Sequence, residues 1–234
     1  MPDLRHIDCW VFDLDNTLYA AESRLFDQID ARMSAFIRDR LEIDHVDARR
    51  LQKKYYVRYG TTLAGLMKEH GVEPDDFLDF VHDIDLAAIS KNPALRSALA
   101  ALPGRKYIFT NGSARHAENV AGALGVFDQF DDVFDIKAAR YTPKPHRPPF
   151  EDFVARFDVK PQSAVMFEDI VHNLEAPHAL GMTTVLVCSD AAWLADEPHD
   201  KRPARRGDSA PHVHYETDDL AAFLTRARKA AGAA

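Results

Sequence analysis

Three short, mostly apolar runs, 9-CWVF-12, 106-KYIF-109 and 164-AVMF-167, each end in phenylalanine and pass at once to a polar group: Asp13, Thr110 and Glu168. Runs of this length and composition read as strands buried in a sheet. The segments 183-TTVLV-187 and 213-VHY-215 have the same character. Between them the apolar spacing becomes helical. Asn92-Pro93 supplies an N-cap and a first-turn proline for a helix over 93–101, and a helix over 113–124 stops at Gly125. Phe150, Phe153, Val154 and Phe157 line one helical face. A last helix starts at Thr217, carries Asp218 and Asp219 in its first turn and ends among Arg226, Arg228 and Lys229, as the helix macrodipole favours. This alternation predicts an α/β fold, a Rossmann-like parallel sheet flanked by helices on both faces.

One stretch breaks the alternation. From Ala20 to Lys91 the only good periodicity is helical: Leu25, Ile29, Met33, Phe36, Ile37 and Leu41, then Leu51, Tyr55 and Tyr59, then Phe77, Leu78 and Val81. The spacing predicts an all-helical cap over 20–91, inserted after the first strand of a core made from 1–19 and 92–234. The segment from Ser189 to Pro211 reads as a polar, mobile loop. Its basic cluster, 201-KRPARR-206, reads as solvated surface.

Composition excludes several classes of function. A net charge of −8 argues against a surface built for nucleic acid. No apolar run reaches the roughly 18 residues a membrane helix needs, and MPDLRHID carries no apolar signal core, so the expectation is a soluble, cytoplasmic chain. Cys9 and Cys188 sit in apolar runs and read as buried, reduced thiols. The histidines show no metal-ligand spacing; His6, His116, His172, His178, His212 and His214 read as scattered structural or exposed groups.

In an open parallel sheet, ligands bind beyond the carboxyl ends of the strands. The three phenylalanine-ended runs therefore bring Asp13, Asp15, Thr110, Asn111, Glu168 and Asp169 to one edge. Asp13, Asp15 and Asp169 form an oxygen-rich set suited to a hard cation that keeps several waters, hence Mg²⁺ before Zn²⁺.

The strings 13-DLDNT-17, 110-TNG-112, 142-TPKP-145 and 167-FEDIVHN-173 resemble, in that order, the four motifs of the haloacid-dehalogenase-like (HAD) superfamily. Each is weak alone; four in order at strand ends are specific. The resemblance implies phosphoryl transfer through an aspartyl-phosphate, with Asp13 as nucleophile and Lys144 as a fixed cation. It implies Mg²⁺ on the Asp13 side chain, the Asp15 backbone carbonyl and Asp169, with Glu168 and Asn173 standing behind these ligands. The Thr110 hydroxyl and the backbone of Leu14, Asn111 and Gly112 would hold phosphate oxygens. The chemistry needs such cations: a carboxylate about 4 Å from a phosphate dianion meets a repulsion of roughly 8 kcal/mol at an effective dielectric near 20. Asp15 is an acid two residues after the nucleophile, which the dehalogenase branch lacks, and would serve as general acid and then base. Asn173 stands where some relatives carry a further acid, which implies a more weakly held cation.

The strings 59-YGTTLAGL-66, 81-VHDID-85, 109-FTNGSARHAENV-120 and 141-YTPKP-145, with FDLDNTLY, are similar to the pyrimidine 5′-nucleotidase group. That implies a small phosphate ester, UMP or CMP, as substrate, with another phosphorylated metabolite, or a non-catalytic phospho-ligand-binding domain, as alternatives. Tyr19, Tyr59, Thr61, Thr62 and His82 are the candidate substrate contacts; Tyr55, Tyr56 and Tyr59 could stack on a base, although helical spacing also suits Tyr55 and Tyr59 to the cap core. His146, beside Lys144-Pro145, reads as a loop histidine.

Overall fold

The computed structural model describes residues 3–196 and 202–231. Six strands form one sheet in the order β3-β2-β1-β4-β5-β6. They are β1 (Cys9–Phe12), β2 (Arg105–Phe109), β3 (Asp132–Phe134), β4 (Ala164–Glu168), β5 (Thr183–Val187) and β6 (Tyr215–Thr217). Every pairing is parallel. Alternate residues of β1 point to opposite faces. Trp10 and Phe12 pack with Val165, Phe167 and Phe223 on one face, and Cys9 and Val11 pack with Phe109, Phe153 and Met166 on the other. With both faces covered, all four residues of β1 are buried, which explains an apolar run without polar alternation.

Between β1 and the core helix α5 (Pro93–Ala100) lie α1 (Leu25–Leu41), α2 (His45–Tyr59), α3 (Thr62–His70) and α4 (Pro74–Val81). These four helices occupy the segment expected to form an inserted cap, and they share a hydrophobic cluster of their own that includes Ile29, Ile37, Tyr55, Leu66, Phe77 and Val81. The core contributes Ile136 to that cluster. Lys137 and Arg115 of the core also face Asp75 and Asp79 of α4, at 2.7 and 3.8 Å. The remaining helices are α6 (Ala114–Ala123), α7 (Arg147–Arg156), α8 (Glu175–Leu180) and α9 (Leu220–Ala231). No helix among the described residues is long and apolar enough to cross a membrane.

Local signals set the helix ends. Asn92 accepts from the Leu95 N–H and Ser113 from the His116 N–H, both as N-caps. Gly125, at φ 72°, follows α6 in the left-handed conformation that glycine tolerates.

Several expectations need correction. Strand β3 escaped the sequence reading because 132-DVF-134 is short and begins with an exposed acid. The last strand runs over Tyr215–Thr217, not 213–215, since Thr217 pairs with Val187. The last helix accordingly begins later, with Asp219 accepting from the Ala222 N–H at 2.9 Å. Of the segment after β5, residues 197–201 lie outside the described residues; the described parts are packed rather than loose, with Ala191, Leu194 and Ala204 buried. Within the basic cluster, Lys201 lies outside the described residues; Arg202 is buried and bonded to Asp208 at 2.7 Å, while Arg205 and Arg206 are exposed.

Candidate active site

The register of the sheet assembles the site. Phe12 pairs with Phe167, and the Asp13 N–H donates to the Phe167 carbonyl at 2.9 Å, so Asp13 and Glu168 leave adjacent strands side by side. Lys144 reaches them from the loop after β3. Its Nζ donates to Asp13 Oδ1 at 2.7 Å, Glu168 Oε2 at 2.6 Å and the Phe109 carbonyl at 2.9 Å, which engages all three ammonium protons. Asn111 fixes the backbone that carries the lysine: its Oδ1 accepts from the Lys144 N–H at 2.8 Å, and its Nδ2 donates to the Lys144 carbonyl at 3.2 Å.

Asp13, Glu168 and Asp169 are buried, and ligand oxygens of the three lie within 4.8 Å of one another. Burial pushes the Asp13 carboxyl up to about 7, with Glu168 adding to the rise and Lys144 opposing it. Burial, then Glu168 and Asp13, also hold Asp169 well above the carboxylate range. Burial disfavours the Lys144 ammonium, yet Asp13 and Glu168 hold it above its ordinary value. Three carboxylates around one ammonium are short of positive charge. Glu168 is already engaged, its Oε1 accepting from Asn173 Nδ2 at 3.1 Å and the Ile170 N–H at 3.3 Å. Asp13 and Asp169 are therefore the carboxylates with capacity for a cation, and an all-oxygen buried set fits a hard divalent ion.

Asp15 faces a different group. Its Oδ1 accepts from the Tyr19 hydroxyl at 2.7 Å and contacts His116 Nε2 at 3.0 Å. Burial resists ionisation of Asp15, but the His116 and Tyr19 contacts outweigh it and hold the carboxyl below its ordinary value. Tyr19, a candidate substrate contact by sequence, thus has its hydroxyl on Asp15, and burial with that carboxylate raises it well above the phenol range. The His82 ring stacks on His116 at 4.3 Å, its Nδ1 lies 3.0 Å from Ser113 Oγ, and burial followed by His116 pulls it down to about 3. His116 was not singled out by sequence. The available signal was its place in the first turn of α6: helical side chains lean toward the N-terminus, here toward the 110-TNG-112 loop.

The remaining expected phosphate contacts are arranged as follows. Thr110 Oγ1 accepts from the Gly112 N–H at 2.9 Å, so that N–H, expected on phosphate, closes a hydroxyl turn instead. A Cβ on Gly112 would lie 3.3 Å from Thr110 Oγ1 and 3.5 Å from His82 Nε2, close quarters that favour glycine. The Leu14 side chain is in the core and its carbonyl accepts from the Thr17 and Leu18 N–H groups.

Above these groups lies a cavity of about 220 Å³ between core and cap. Asp13, Asp15, Thr110, Lys144 and Asp169 line its floor, while Phe26, Ile29, Met33, Phe77 and Leu78 form apolar walls. Thr61, Thr62 and His82 also line it. Thr61 caps α3 by accepting from the Ala64 N–H at 3.1 Å. Tyr59 does not line the cavity: its hydroxyl donates to Glu69 on the cap exterior, which corrects its reading as a substrate contact. The neighbouring Tyr56 does line it, with Lys53, Gln52 and Asp30. Gln52 Nε2 donates to Asp30 Oδ1 at 2.7 Å, a buried polar group that apolar periodicity could not reveal. His146 is exposed and outside the lining.

A family model described as haloacid dehalogenase-like hydrolase matches residues 7–181. The chain is 30% identical over 161 residues to phosphate metabolism protein 8 of Saccharomyces cerevisiae, an alignment covering 64% of this chain and 47% of that protein. The chain thus spans about half the length of that relative. Among solved structures, L-2-haloacid dehalogenase from Xanthobacter autotrophicus superposes with a TM-score of 0.59 at 19% identity, over 95% of this chain and 98% of that one. A HAD phosphatase from Thermococcus onnurineus gives 0.59 at 20% identity, over 95% and 97%. These likenesses show the fold. With the family match spanning the strand ends that carry Asp13, Thr110, Lys144 and Asp169, the chain belongs to the haloacid dehalogenase-like hydrolases.

Proposed function

We propose that the chain is a Mg²⁺-dependent phosphomonoester hydrolase acting through an aspartyl-phosphate, with pyrimidine nucleoside 5′-monophosphates as substrates. The observation that carries the reading is the floor of the cavity: Asp13 beside the Lys144 ammonium at 2.7 Å, with Asp169 in the same buried cluster and Asp15 two residues away. Residues 20–91 act as the cap, and residues 1–19 and 92–234 as the catalytic core.

An Asp13 oxygen attacks phosphorus, forming a P–O bond as the ester oxygen departs; Asp15, ionised by its contacts in the free protein, must take up a proton on entering the substrate complex and gives it to that oxygen. Asp15 then takes a proton from the water that attacks phosphorus and frees Asp13. Lys144 balances the charge of Asp13 and Glu168 throughout. Mg²⁺, held by Asp13, Asp169 and the Asp15 carbonyl, would supply positive charge against the phosphate oxygens when bound. The Thr110 hydroxyl and the backbone N–H groups of Leu14 and Asn111 are the remaining phosphate donors. The pyrimidine assignment is supported by the sequence resemblance and by a cavity with apolar walls beside Gln52 and Asp30, which suit the faces and edge of a flat polar ring. The two buried free thiols suit a reducing compartment such as the cytoplasm.

The test is phosphate release from UMP, CMP, purine monophosphates, sugar phosphates and p-nitrophenyl phosphate, with Mg²⁺ and with EDTA. UMP and CMP are expected to lead, and EDTA to stop turnover. Purine or sugar esters outrunning both pyrimidines would reject the substrate while leaving the chemistry. Asp13→Asn is expected to stay folded and to lose about 10³-fold or more in kcat, because an amide is a poor nucleophile; retained turnover would remove Asp13 from its role.

A further inference from the structure

His116 and His82 form a stack that crosses from core to cap. Their centroids are 4.3 Å apart with planes inclined by 11°, and His116 is only 1% exposed. Most buried side-chain polar atoms have a hydrogen-bond partner, so a histidine buried merely to fill space is expected to have both ring nitrogens satisfied. His116 does not: Nε2 meets Asp15 Oδ1 at 3.0 Å, while Nδ1 is buried with no hydrogen-bond partner among the described residues. Leaving such a nitrogen unpaired costs about 1–3 kcal/mol, a cost that calls for a role.

The contact suggests what that role is. Tyr19 Oη and His116 Nε2 both meet Oδ1 of Asp15, at 2.7 and 3.0 Å. Whether the carboxyl is ionised or carries its proton on Oδ2, Oδ1 is the accepting oxygen, so Nε2 bears the proton in this contact. Two donors converging on one oxygen fix the plane of the carboxyl group and leave Oδ2 as the oxygen open to the cavity that Asp15 lines. His82 comes from the end of α4 and touches the core at two places, the His116 ring and Ser113 Oγ at 3.0 Å. The ring that backs His116 is thus supplied by the cap.

We infer that His116, backed by His82, is a positioning residue for Asp15: it aims the free carboxyl oxygen at the ester oxygen, and the aim is complete only when the cap is seated. This rests on the reading of Asp15 as the acid that protonates the leaving group. A p-nitrophenolate leaves without a proton, whereas an alkoxide needs one, so the two leaving groups report on Asp15 separately from the rest of the site.

The experiment measures kcat and KM for p-nitrophenyl phosphate and for the best-hydrolysed alkyl phosphate in wild type, His116→Leu, His116→Gln and His82→Ala, each checked for folding by circular dichroism. His116→Leu is expected to lower kcat for the alkyl ester about 10²-fold more than for the nitrophenyl ester, the low end of what a general acid contributes. His116→Gln, which keeps an N–H donor, is expected to recover part of that ratio, and His82→Ala to show the same bias more weakly. Should His116→Leu not fold, the ratios in the other two variants decide. Equal losses on both esters, or a change confined to KM, overturn the inference alone. A wild-type protein that hydrolyses neither ester overturns the phosphatase reading, and this inference with it.

Discussion

Lys144 sits between two carboxylates and a carbonyl, with its side chain 1% exposed and Nζ 2.6 to 2.9 Å from all three oxygens. Replacing it with methionine keeps an unbranched side chain of similar length and removes the charge, leaving Asp13 and Glu168 face to face in a dry site. Removing one partner from a buried ion pair typically costs about 3–5 kcal/mol. Lys144→Met is therefore expected to lose stability of that order in urea unfolding, along with turnover; a loss below about 1 kcal/mol would mean the acids neutralise one another without the lysine. This lysine was readable in the sequence because its motif falls in order between two others. His116 was not, because its partner Asp15 lies 101 positions away and nothing local marks the pair. Tyr59 carried two readings for a related reason: three tyrosines on one helix cannot be told apart by type, and only the rotation of α2 puts Tyr56 in the cavity and Tyr59 against the helical cluster with its hydroxyl on Glu69.

The helices and strands were legible in proportion to their length and to their capping signals. Asn92-Pro93 and Gly125 marked real boundaries. The three-residue β3 left no pattern to detect, although it sets the edge of the sheet and places Asp135, whose carboxylate accepts from the Ala114 and Ala138 N–H groups around the loop. The segment after β5 looked like a polar loop because many of its anchors carry no local pattern: Ala204 donates to the Asp169 carbonyl at 2.7 Å, Ser189 to the Ala204 carbonyl at 2.8 Å, and Ser189 Oγ to Glu22 at 2.7 Å, 167 positions away. Within the cap, helix packing depends on one small residue. A Cβ on Gly65 of α3 would lie 2.4 Å from Cγ of Tyr55 on α2. Alanine is the better helix former by about 1 kcal/mol, but forcing a methyl group into a packed core costs about 1–3 kcal/mol. The clash is well inside contact distance and the Tyr55 ring is held by His70 at 2.6 Å, so strain prevails. Gly65→Ala is expected to lower the thermal midpoint; an increase would show that α2 and α3 can separate without loss.

Across the whole molecule, the buried acids and the cap histidine make stability depend on pH in opposing ways. Asp13, raised from 3.8 to about 7, and Asp169, raised well above 3.8, are protonated in the folded chain where the unfolded chain has already ionised. Both contributions are complete below about pH 4; that of Asp13 is lost as pH rises through 7, and that of Asp169 falls in the same direction. His82, lowered from 6.5 to about 3, acts with the other sign: its contribution is complete above 6.5 and is lost as pH falls toward 3. Between about pH 4 and 6.5 the histidine offsets one acid; above 6.5 only the acids still change. The metal-free protein is therefore expected to lose stability from pH 6.5 to 8, at up to about 1.4 kcal/mol per pH unit for each acid still titrating. A divalent ion binds the ionised carboxylates and displaces their protons. Its stabilising effect must then grow over the same interval. Thermal midpoints in EDTA and in saturating Mg²⁺ at pH 6.5 and pH 8 check this, with the Mg²⁺-induced rise expected to be larger at pH 8 and to shrink in Asp13→Asn. A rise that is the same at both pH values, or larger at 6.5, would mean that the carboxylates are already ionised without a metal, and that the lysine alone balances the rim of the sheet.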